Sequence, residues 1–441
     1  MPPTEPSSNN LVWRLWKPVQ AWLPQLRREI WILAAGQLLL YLGQGFTLVY
    51  ASIYFVNQLG FSPTQVGLAL GSSGIAGIFG RFWAGSAIDA ERWGRRGTLI
   101  LAAVLTALGC FVLAYAATFP LLIAGNLLLG LGVSLYWPAN LAVTTDLTTS
   151  ENRTEAFALT RLVDNLGLGL GALLAGQYMA QFGARPGSYS LLFLIKGVTY
   201  LLFAGVIYGA IAETRQPTLE SPQGLRQSLS GWGKAVRDRT FLTYLTGNLI
   251  FTVYAAQHTS TLPLYLANFV PAGNTTTGFS EQWISYFFVW HALIKIVCQL
   301  PITRAVRSIN YVTLLLIALG LWSGGFLLIW GAGLTLSNAL PFAGLAFTLI
   351  ALAEVLYSPA GVSLVGEMAP VNLRGVYFAM ESQCWGVGFI IGPAVGGWVL
   401  DQPELATHVW VLCVLVGGLA SLLLVSLRQQ VAGRAADAVG S

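Results

Sequence analysis

Residues 135–139 read Leu-Tyr-Trp-Pro-Ala, and the similar sequence Leu-Tyr-Ser-Pro-Ala occupies residues 356–360, 221 positions later. With this offset, segments 135–176 and 356–397 align without a gap and share ten identical residues and one Asp/Glu exchange. Proline and glycine recur at matched positions, which common hydrophobicity alone does not explain. The repeat therefore predicts two halves with the same fold. Outside the quoted stretch, the matched residues are Asp146 with Glu367, Arg153 with Arg374, Phe157 with Phe378, Ala158 with Ala379, Gly167 with Gly388, Gly171 with Gly392 and Gly176 with Gly397.

The composition of the chain indicates a membrane protein. Of its 441 residues, 55% are hydrophobic and only 9% are charged, and the mean hydropathy is +0.66. Soluble domains carry about 25% charged residues, because their surface must be solvated by water. So little charge excludes a soluble enzyme, a nucleic-acid-binding protein and a disordered scaffold. We therefore predict an all-α membrane protein whose outer surface faces lipid.

Twelve apolar stretches are long enough to cross a bilayer, which takes about 20 residues in a helix. A polar interval separates two groups of six, so we expect 12 transmembrane helices in two six-helix repeats of the same orientation. The predicted organisation is a cytoplasmic or interfacial N-terminal segment (1–30), a first bundle (31–212), a central cytoplasmic loop (213–240), a second bundle (241–427) and a cytoplasmic tail (428–441). The predicted spans are 31–56, 64–88, 97–117, 120–145, 154–181, 188–212, 241–269, 281–303, 309–332, 340–366, 374–400 and 407–427.

Basic residues define the predicted orientation in the membrane. Of the 23 Lys and Arg residues, 20 lie before the first span, in or next to the even-numbered loops, or in the C-terminal tail. Lys196 and Lys295 lie within spans, and Arg185 is in an odd-numbered loop. Because cytoplasmic loops are enriched in Lys and Arg, both termini are predicted to be cytoplasmic. The net charge of +5 thus reflects topology and gives no reason to expect a nucleic-acid partner.

The cysteine and histidine patterns exclude several classes of site. The four cysteines lie in apolar stretches without C-x-x-C spacing, so neither a disulfide nor a metal site is predicted. The chain has only three histidines and lacks a phosphate-binding G-x-x-x-x-G-K-[ST] loop, a G-x-S-x-G elbow and a histidine box. We therefore expect a protein that is not an enzyme and that holds no metal and no cofactor.

The segment between the second and third spans resembles the signature of the major facilitator superfamily of transporters, roughly G-x-x-x-D-R-x-G-R-R. Gly85 and Asp89 have the family spacing, and Arg92-Trp93-Gly94-Arg95-Arg96 follows after two additional residues. The resemblance covers nearly the whole chain and implies the fold of that family. It also implies a latch at the cytoplasmic mouth; a set of ordinary positive-inside charges is the alternative. The latch residues would be Gly85, Asp89, Arg92, Gly94, Arg95, Arg96 and Asp146, with Asp146 paired to Arg95 or Arg96.

Two further resemblances point to a particular group of transporters within the superfamily. The pattern Gly388-x-x-x-Gly392-Pro393-x-x-Gly396-Gly397 in span eleven resembles the glycine-proline pattern that antiporters of the family carry in span five. Because small residues let helices approach closely, these five residues are predicted to pack against a neighbouring helix. The segments 53–61, 66–71 and 237–244 resemble the bacterial twelve-span drug:proton antiporter group, which implies export of drug-like molecules.

Charges within the spans are candidates for function, because a charge at the bilayer centre is costly. Glu354 lies near the middle of span ten, where burial favours the protonated carboxyl group, and we expect it to exchange the coupled proton. A protonated Glu354 that is hydrogen-bonded within a helix interface is the alternative. Asp164 and Glu381 are further candidates for proton coupling, although a self-contained ion pair of Asp164 with Arg161 also fits the sequence.

Polar and aromatic side chains at helical spacing predict the lining of a substrate cavity. In span eight, His291 and Lys295 lie one turn apart, and Lys295 is expected to neutralise Glu354 or Glu381. His258 in span seven is either part of this lining or a hydrogen-bonded residue of a helix interface. The predicted lining residues are Gln37, Tyr41, Gln44, Trp137, Asn140, Tyr254, His258, His291, Lys295, Tyr357 and Trp385.

The sequence as a whole favours a secondary transporter of the cell (inner or plasma) membrane that exports small amphipathic molecules against inward proton flow. Its expected partners are a small-molecule substrate, protons and the lipid bilayer, with the proton gradient as energy source and a monomer as the working unit. A proton-linked uptake symporter for a sugar or similar nutrient is the main alternative. A membrane-embedded enzyme or an assembly factor on the same fold is a third alternative, which no catalytic constellation supports.

Overall fold

The computed structural model describes residues 26–89, 94–149, 152–183, 185–214, 232–271, 278–335, 338–370 and 373–440, with backbone alone for Phe82, Thr154, 85–89 and 434–440. Parts of the predicted N-terminal segment and central loop, and Arg92, lie outside the described residues. Wherever the chain is described it is helical with short connections, and this part contains no strand. The prediction of an all-α protein is therefore confirmed.

Twelve long helices follow one another in the described residues, and each coincides with one predicted span. In the first, the α-helix gives way to one turn of π-helix at Tyr54–Gln58. Short helices at 232–237 and Pro403–Ala406 precede the seventh and twelfth. The long helices are α1 (Arg28–Gln58), α2 (Pro63–Asp89), α3 (Gly94–Ala114), α4 (Phe119–Asp146), α5 (Arg153–Phe182), α6 (Ser188–Ala210), α7 (Arg239–Asn268), α8 (Glu281–Ala305), α9 (Tyr311–Leu334), α10 (Ala339–Met368), α11 (Arg374–Leu400) and α12 (Val409–Gly440).

Polar residues fix the starts of three consecutive helices in the second half of the chain. Asp238, Ser280 and Asn310 accept hydrogen bonds from backbone N–H groups in the first turns of α7, α8 and α9, at 3.1, 3.4 and 2.9 Å. These N–H groups have no partner within the helix, so a side-chain acceptor stabilises the helix at that position. The caps thereby determine where the apolar helices begin along the chain.

Ten of the twelve helices are long and apolar enough, by length and composition, to cross a membrane. The other two, α2 and α7, have 27 and 30 residues, so their length suffices, but they are less apolar. α2 is rich in glycine and serine, and α7 carries buried Thr, Asn, Gln and His side chains. The chain is a membrane protein with ten candidate spans, while twelve crossings and cytoplasmic termini stay predictions.

The first six helices and the last six have the same internal arrangement, and we call them the first and second halves. In the first half α1 packs on α5 and α6, α3 packs on α4 and α6, and α2 packs on α4. In the second half the equivalent helices make equivalent contacts, α7 with α11 and α12, α9 with α10 and α12, and α8 with α10. The main contacts between the halves, α2 on α11 and α5 on α8, are also equivalent to each other. A twofold relation thus connects the halves, as the internal repeat indicates.

The contact between α2 and α11 is close because glycine lies at the points of approach. Gly67 of α2 faces the backbone oxygen of Pro393, and Gly397 of α11 faces the backbone oxygen of Pro63. A Cβ atom at either glycine would collide with backbone, which cannot rotate away as a side chain can. The other glycines of the predicted packing pattern, Gly388, Gly392 and Gly396, lie against Thr252, Ala256 and Thr261 of α7.

Substitution of Gly67 tests this contact. We expect Gly67→Ala to destabilise the protein by about 1–3 kcal/mol, because the methyl group overlaps the Pro393 backbone and forces two helices apart. Gly205→Ala in α6 is the matched control, since no atom lies within 4 Å of its Cβ position. The control should change stability by less than about 1 kcal/mol. Thermal unfolding in detergent measures both variants, and equal unfolding midpoints would contradict the close contact.

Candidate functional site

Glu354 lies at the centre of a cluster of polar side chains in the second half. It is the sixteenth of the 30 residues of α10, near the middle of that helix. Lys295 of α8 donates a hydrogen bond from Nζ to Glu354 Oε2 at 2.8 Å. His258 Nδ1 of α7 and His291 Nε2 of α8 lie 3.6 and 3.5 Å from Oε1. One carboxylate oxygen therefore faces a cation, and the other faces two imidazole rings.

Aromatic rings enclose the imidazole side of this cluster. The His258 ring stacks on Phe288 at a centroid distance of 5.0 Å and meets Phe347 edge-on at 5.4 Å. The side chains of His258 and His291 are 3% and 7% exposed, and those of Lys295 and Glu354 are 23% and 18% exposed. A cation and a carboxylate with so little solvent are stable mainly because they pair with each other.

The structure decides between the two partners predicted for Lys295. The helix that carries Lys295, α8, packs on α10, which carries Glu354. Glu381, the other predicted partner, lies on α11 and accepts a hydrogen bond from Asn248 of α7 at 3.5 Å. Lys295 thus pairs with Glu354 and leaves Glu381 to a different group of residues.

This second polar group connects α7, α10 and α11. Tyr357 donates to Asn248 Oδ1 at 2.7 Å, and Asn248 Nδ2 donates in turn to Glu381. The Trp385 ring lies 6.4 Å from the Tyr357 ring. Arg81 of α2 is close enough for its charge to act on Glu381. Three predicted residues therefore meet here through Asn248, which sequence analysis missed because a lone Asn in a span carries no motif.

In the first half, predicted lining residues on α1, α4 and α5 also meet. Gln37 of α1 donates from Nε2 to Asn140 Oδ1 of α4 at 2.7 Å, and both side chains are buried. Trp137 lies three residues before Asn140 and carries the guanidinium of Arg161 over its ring, 5.1 Å from the centroid. These contacts connect three helices of the first half in the middle of the bundle.

Two further predicted residues on α1 contact neighbouring helices. Tyr41 packs beside Gly167 of α5. Gln44 accepts a hydrogen bond from the Tyr200 hydroxyl of α6 at 3.5 Å. Both side chains are half-buried. Although Tyr41 and Gln44 share helical spacing with Gln37 on α1, they therefore contact two different helices.

Asp164 does not form the ion pair with Arg161 that its spacing allows. Among the described residues no ion pair within 4.0 Å involves Asp164, because Arg161 lies over Trp137 instead. Asp164 is 8% exposed. Its Oδ1 atom has no hydrogen-bond partner in the described part of the chain. The interpretation of Asp164 as half of a local ion pair is therefore corrected.

Asp164 and Lys295 lie at nearly the same level of the interface between the halves. Residues 169–176 of α5 run antiparallel to residues 285–292 of α8, with glycine at both ends of the α5 segment. If the same antiparallel pairing continues along both helices, Asp164 and Lys295 lie within two residues of the same height. Two residues correspond to about 3 Å along the helix axis. The charge of Arg161 acts on Asp164, and the charge of Lys295 acts on it more weakly from the opposite half.

Tyr254 is the predicted lining residue that the structure places elsewhere. Its hydroxyl donates to the backbone oxygen of Cys413 in α12, and its ring packs edge-on against Trp322 and Phe326 of α9. The residue is 1% exposed. Because α7 has helices on several sides, helical spacing with His258 did not distinguish a cavity face from a helix interface.

Part of the predicted latch lies within the first half. Arg95 of α3 forms an ion pair with Asp146 of α4, and Gly94 begins α3 with a φ of +59°, which favours glycine. The backbone N–H groups of Arg95 and Arg96 donate to the Glu213 carboxylate at 3.0 and 3.1 Å, which places negative charge at the α3 N-terminus. Glu213 follows α6 and belongs to no motif, so no pattern in the sequence indicates its role. The side chains of Gly85, Asp89 and Arg92 lie outside those described.

Hydrogen bonds between the two halves lie at one end of the helices. This end carries the loops that follow α1, α5, α7 and α11. Six pairs of residues in the described part of the chain make side-chain hydrogen bonds between the halves at this end. They join Tyr50 with Ser285 and with the Glu281 backbone, Asn57 with Asn268, Thr64 with Asp401, Gln177 with Tyr286, and Tyr189 with Glu281.

Two equivalent bundles of long apolar helices with buried charged side chains are the architecture of a membrane transporter built from an internal repeat. The chain belongs to the Major Facilitator Superfamily, whose family model matches residues 33–271 and 266–438. Its relatives include proteins named multidrug resistance proteins.

Comparisons with individual proteins agree with this family. The multidrug resistance protein MdtH of Cronobacter sakazakii is 29% identical over 391 residues, which cover 85% of this chain and 88% of that protein. An uncharacterised MFS-type transporter of Bacillus subtilis, YqjV, is 24% identical over 389 residues, 88% of this chain and 90% of that protein. The crystal structure of the nucleoside transporter NupG has a TM-score of 0.75 at 14% identity, covering 91% of this chain and 99% of that one. NupG thus shares the fold.

A double-mutant cycle tests the Lys295–Glu354 pair. Lys295→Met and Glu354→Gln each leave one charge without its partner, and each should lower the free energy of unfolding by about 2–4 kcal/mol. The double variant removes both charges, so it should be more stable than the sum of the single effects by about 0.5–3 kcal/mol. Denaturant unfolding in metal-free detergent solution measures the coupling. Strictly additive effects would show that the two side chains do not interact.

Proposed function

We propose that the chain exports small amphipathic, drug-like molecules across the cell membrane in exchange for protons. One observation carries this proposal: Asp164 of the first half and Lys295 of the second are charged residues at one level of the interface, the twelfth of 30 residues in α5 and the fifteenth of 25 in α8. Such charges are costly in a membrane and mark transport pathways. The multidrug resistance relatives and the aromatic side chains around the site support an amphipathic organic substrate.

We further propose twelve membrane crossings, with both termini in the cytoplasm and one chain as the working unit. α2 presents Leu68, Ile75, Phe79 and Trp83 on its outer surface, each at least 46% exposed. Large exposed apolar side chains of this kind suit lipid contact. α7 carries fewer of them because α11, α12 and the end of α1 enclose it. The distribution of Lys and Arg supports the orientation.

The proposed cycle exposes the site alternately to the two sides of the membrane. The hydrogen bonds between the halves lie at the end that the basic residues assign to the outside, so this structure corresponds to a state that is closed outside. Opening that end requires the halves to rock about the α2–α11 and α5–α8 contacts. The Asn57–Asn268 and Thr64–Asp401 hydrogen bonds would then break.

Asp164 is the proposed proton-binding residue. Its carboxyl group is buried without an ion-pair partner within 4.0 Å among the described residues, so a bound proton removes a charge that no hydrogen-bonded cation neutralises. Glu354, which the sequence favoured, has Lys295 as its counter-ion and does not need a proton for stability. When Asp164 loses its proton, Arg161 of its own helix and Lys295 of the opposite half are the cations whose charges act on it. Glu381 remains the third candidate, held by Asn248.

Dye transport in everted membrane vesicles tests the proposal. Wild-type vesicles should accumulate amphipathic dyes when respiration acidifies their lumen, and a protonophore should abolish the accumulation. Asp164→Asn should reduce proton-driven accumulation at least about tenfold, because an amide cannot exchange the proton. Glu404→Gln, an exposed residue after α11, is the control and should transport as wild type.

Other outcomes of the same assay would contradict the proposal. Loss of coupling in Glu354→Gln or Glu381→Gln with normal coupling in Asp164→Asn would refute the assignment of the proton to Asp164. Proton-driven movement of solute in the direction of uptake would favour a symporter over an exporter. Failure to move any compound of a broad panel would contradict a transport function for small amphipathic molecules.

Asp401→Ala tests the proposed outward closure. The Asp401 carboxylate accepts from the backbone N–H of Thr64 at 2.8 Å and from its hydroxyl, so it caps α2 across the interface. Loss of a helix cap costs about 1 kcal/mol, which should raise the population open to the outside roughly fivefold. The readout is labelling of Ser260→Cys by an impermeant thiol reagent, in a background without the four native cysteines. Glu404→Gln is again the control. If Asp401→Ala is labelled at the same rate as this control, the contact between Asp401 and Thr64 does not hold the outer end closed.

A further inference from the structure

His258 and His291 meet at Glu354, although 33 positions separate the two histidines in the sequence. One potential ligand atom from each of these three residues lies within 4.8 Å of the other two. The residues belong to α7, α8 and α10. No other group of three His, Cys, Asp or Glu residues with this spacing occurs in the described part of the chain.

The contacts of Glu354 Oε1 have the spacing of ligands around an ion. His291 Nε2 and His258 Nδ1 lie 3.5 and 3.6 Å from Oε1, whereas N–H···O hydrogen bonds measure about 2.7–3.2 Å. Ligand atoms at about 2.1 Å from a tetrahedral ion are separated from each other by about 3.4 Å. An ion among these atoms therefore requires only small movements of the side chains, the largest of them between the two imidazoles.

The donor atoms select the class of ion. Two imidazole nitrogens and one carboxylate oxygen form the ligand set of zinc sites in which a fourth position stays open. Mg²⁺ and Ca²⁺ prefer oxygen ligands, so the two histidines disfavour them. Lys295 occupies the Oε2 atom of Glu354, which leaves Oε1 directed at the histidines. No cysteine belongs to the group.

Both histidines have nitrogen atoms that are not used by other contacts. Their side chains are almost completely buried. In the described part of the chain no hydrogen bond is made by Nε2 of His291, the atom that faces Glu354, or by Nε2 of His258, whose Nδ1 faces Glu354. Buried polar atoms without a partner destabilise a protein. Either nitrogen of an imidazole ring can bind a metal, so an ion would give each ring a strong partner.

We propose that His258, His291 and Glu354 bind one divalent transition-metal ion of the zinc class. The site is distinct from the proton-binding residue proposed above, and its occupation depends neither on the substrate nor on the direction of transport. Because the three ligands come from α7, α8 and α10, the ion connects three helices of the second half. Binding to the folded state should therefore stabilise the protein against unfolding.

Zinc titration of the purified, full-length protein tests this site. The protein is isolated in detergent with an affinity tag that contains no histidine, and it is treated with a chelator before the titration. We expect one Zn²⁺ per chain and a higher midpoint of thermal unfolding. His291→Gln and His258→Gln each remove one ligand and should weaken binding at least about tenfold. Co²⁺ should give the visible absorption of a tetrahedral complex in wild type and lose it in both variants.

His408→Gln is the matched control, because His408 is the remaining histidine and lies exposed before α12. It should bind zinc as wild type does. Wild-type protein that binds no Zn²⁺, or that binds it equally after His291→Gln, would overturn the proposal even if His258→Gln fails to fold. Gel filtration and circular dichroism identify folded variants.

Lys295→Gln identifies the carboxylate as a ligand. Removal of the ammonium group beside Glu354 takes away repulsion of the incoming cation, so zinc binding should tighten by about tenfold. Unchanged affinity would place the ion away from Glu354 and contradict the site. Since these measurements involve no transport, zinc binding without dye export contradicts only the proposed function, and dye export without zinc binding contradicts only the metal site.

Discussion

The halves of the protein meet where α2 packs on α11 and α5 packs on α8, and both contacts require glycine at the points of closest approach. At Gly67 and Gly176 the neighbouring helix occupies the space that a side chain would need. The short separation of α5 and α8 lets the charge of Lys295 act on Asp164 from the opposite half. Residues without any functional group thus determine which charges can act on each other across the interface.

The sequence predicted the architecture well because the architecture depends on local patterns. Apolar stretches located all twelve long helices, and the repeat of segment 135–176 indicated that the two halves are equivalent. The choice of partner inside a helix bundle depends instead on the rotation of helices and the distance between them, which periodicity does not contain. Lys295 had two possible partners in the sequence, and only the packing of α8 on α10 selects Glu354. For the same reason, Tyr254 was assigned to a cavity although its hydroxyl reaches α12.

Competition between partners explains a further difference between sequence and structure. A spacing of three residues permits an ion pair between Arg161 and Asp164, but the Trp137 ring offers the guanidinium a flat aromatic surface. Asp164 is then left without a direct ion pair, and the charges of Arg161 on its own helix and of Lys295 in the opposite half both act on it. The two histidines at Glu354 show the opposite case, in which residues far apart in the sequence meet in the structure. Their separation in sequence concealed a ligand set that three helices assemble.

Asn57 and Asn268 form a reciprocal pair in which each side-chain amide donates to the other at 2.9 Å. They occupy corresponding places, in the last turn of α1 and at the end of α7, the first helix of each half. When the same residue type on both sides of a twofold axis supplies both partners of a contact, the contact is isologous, as in symmetric homodimers. Two separate copies of a six-helix chain could make this contact with a single kind of side chain, so the end of the interface that carries these residues has the self-complementary geometry of a dimer within one polypeptide.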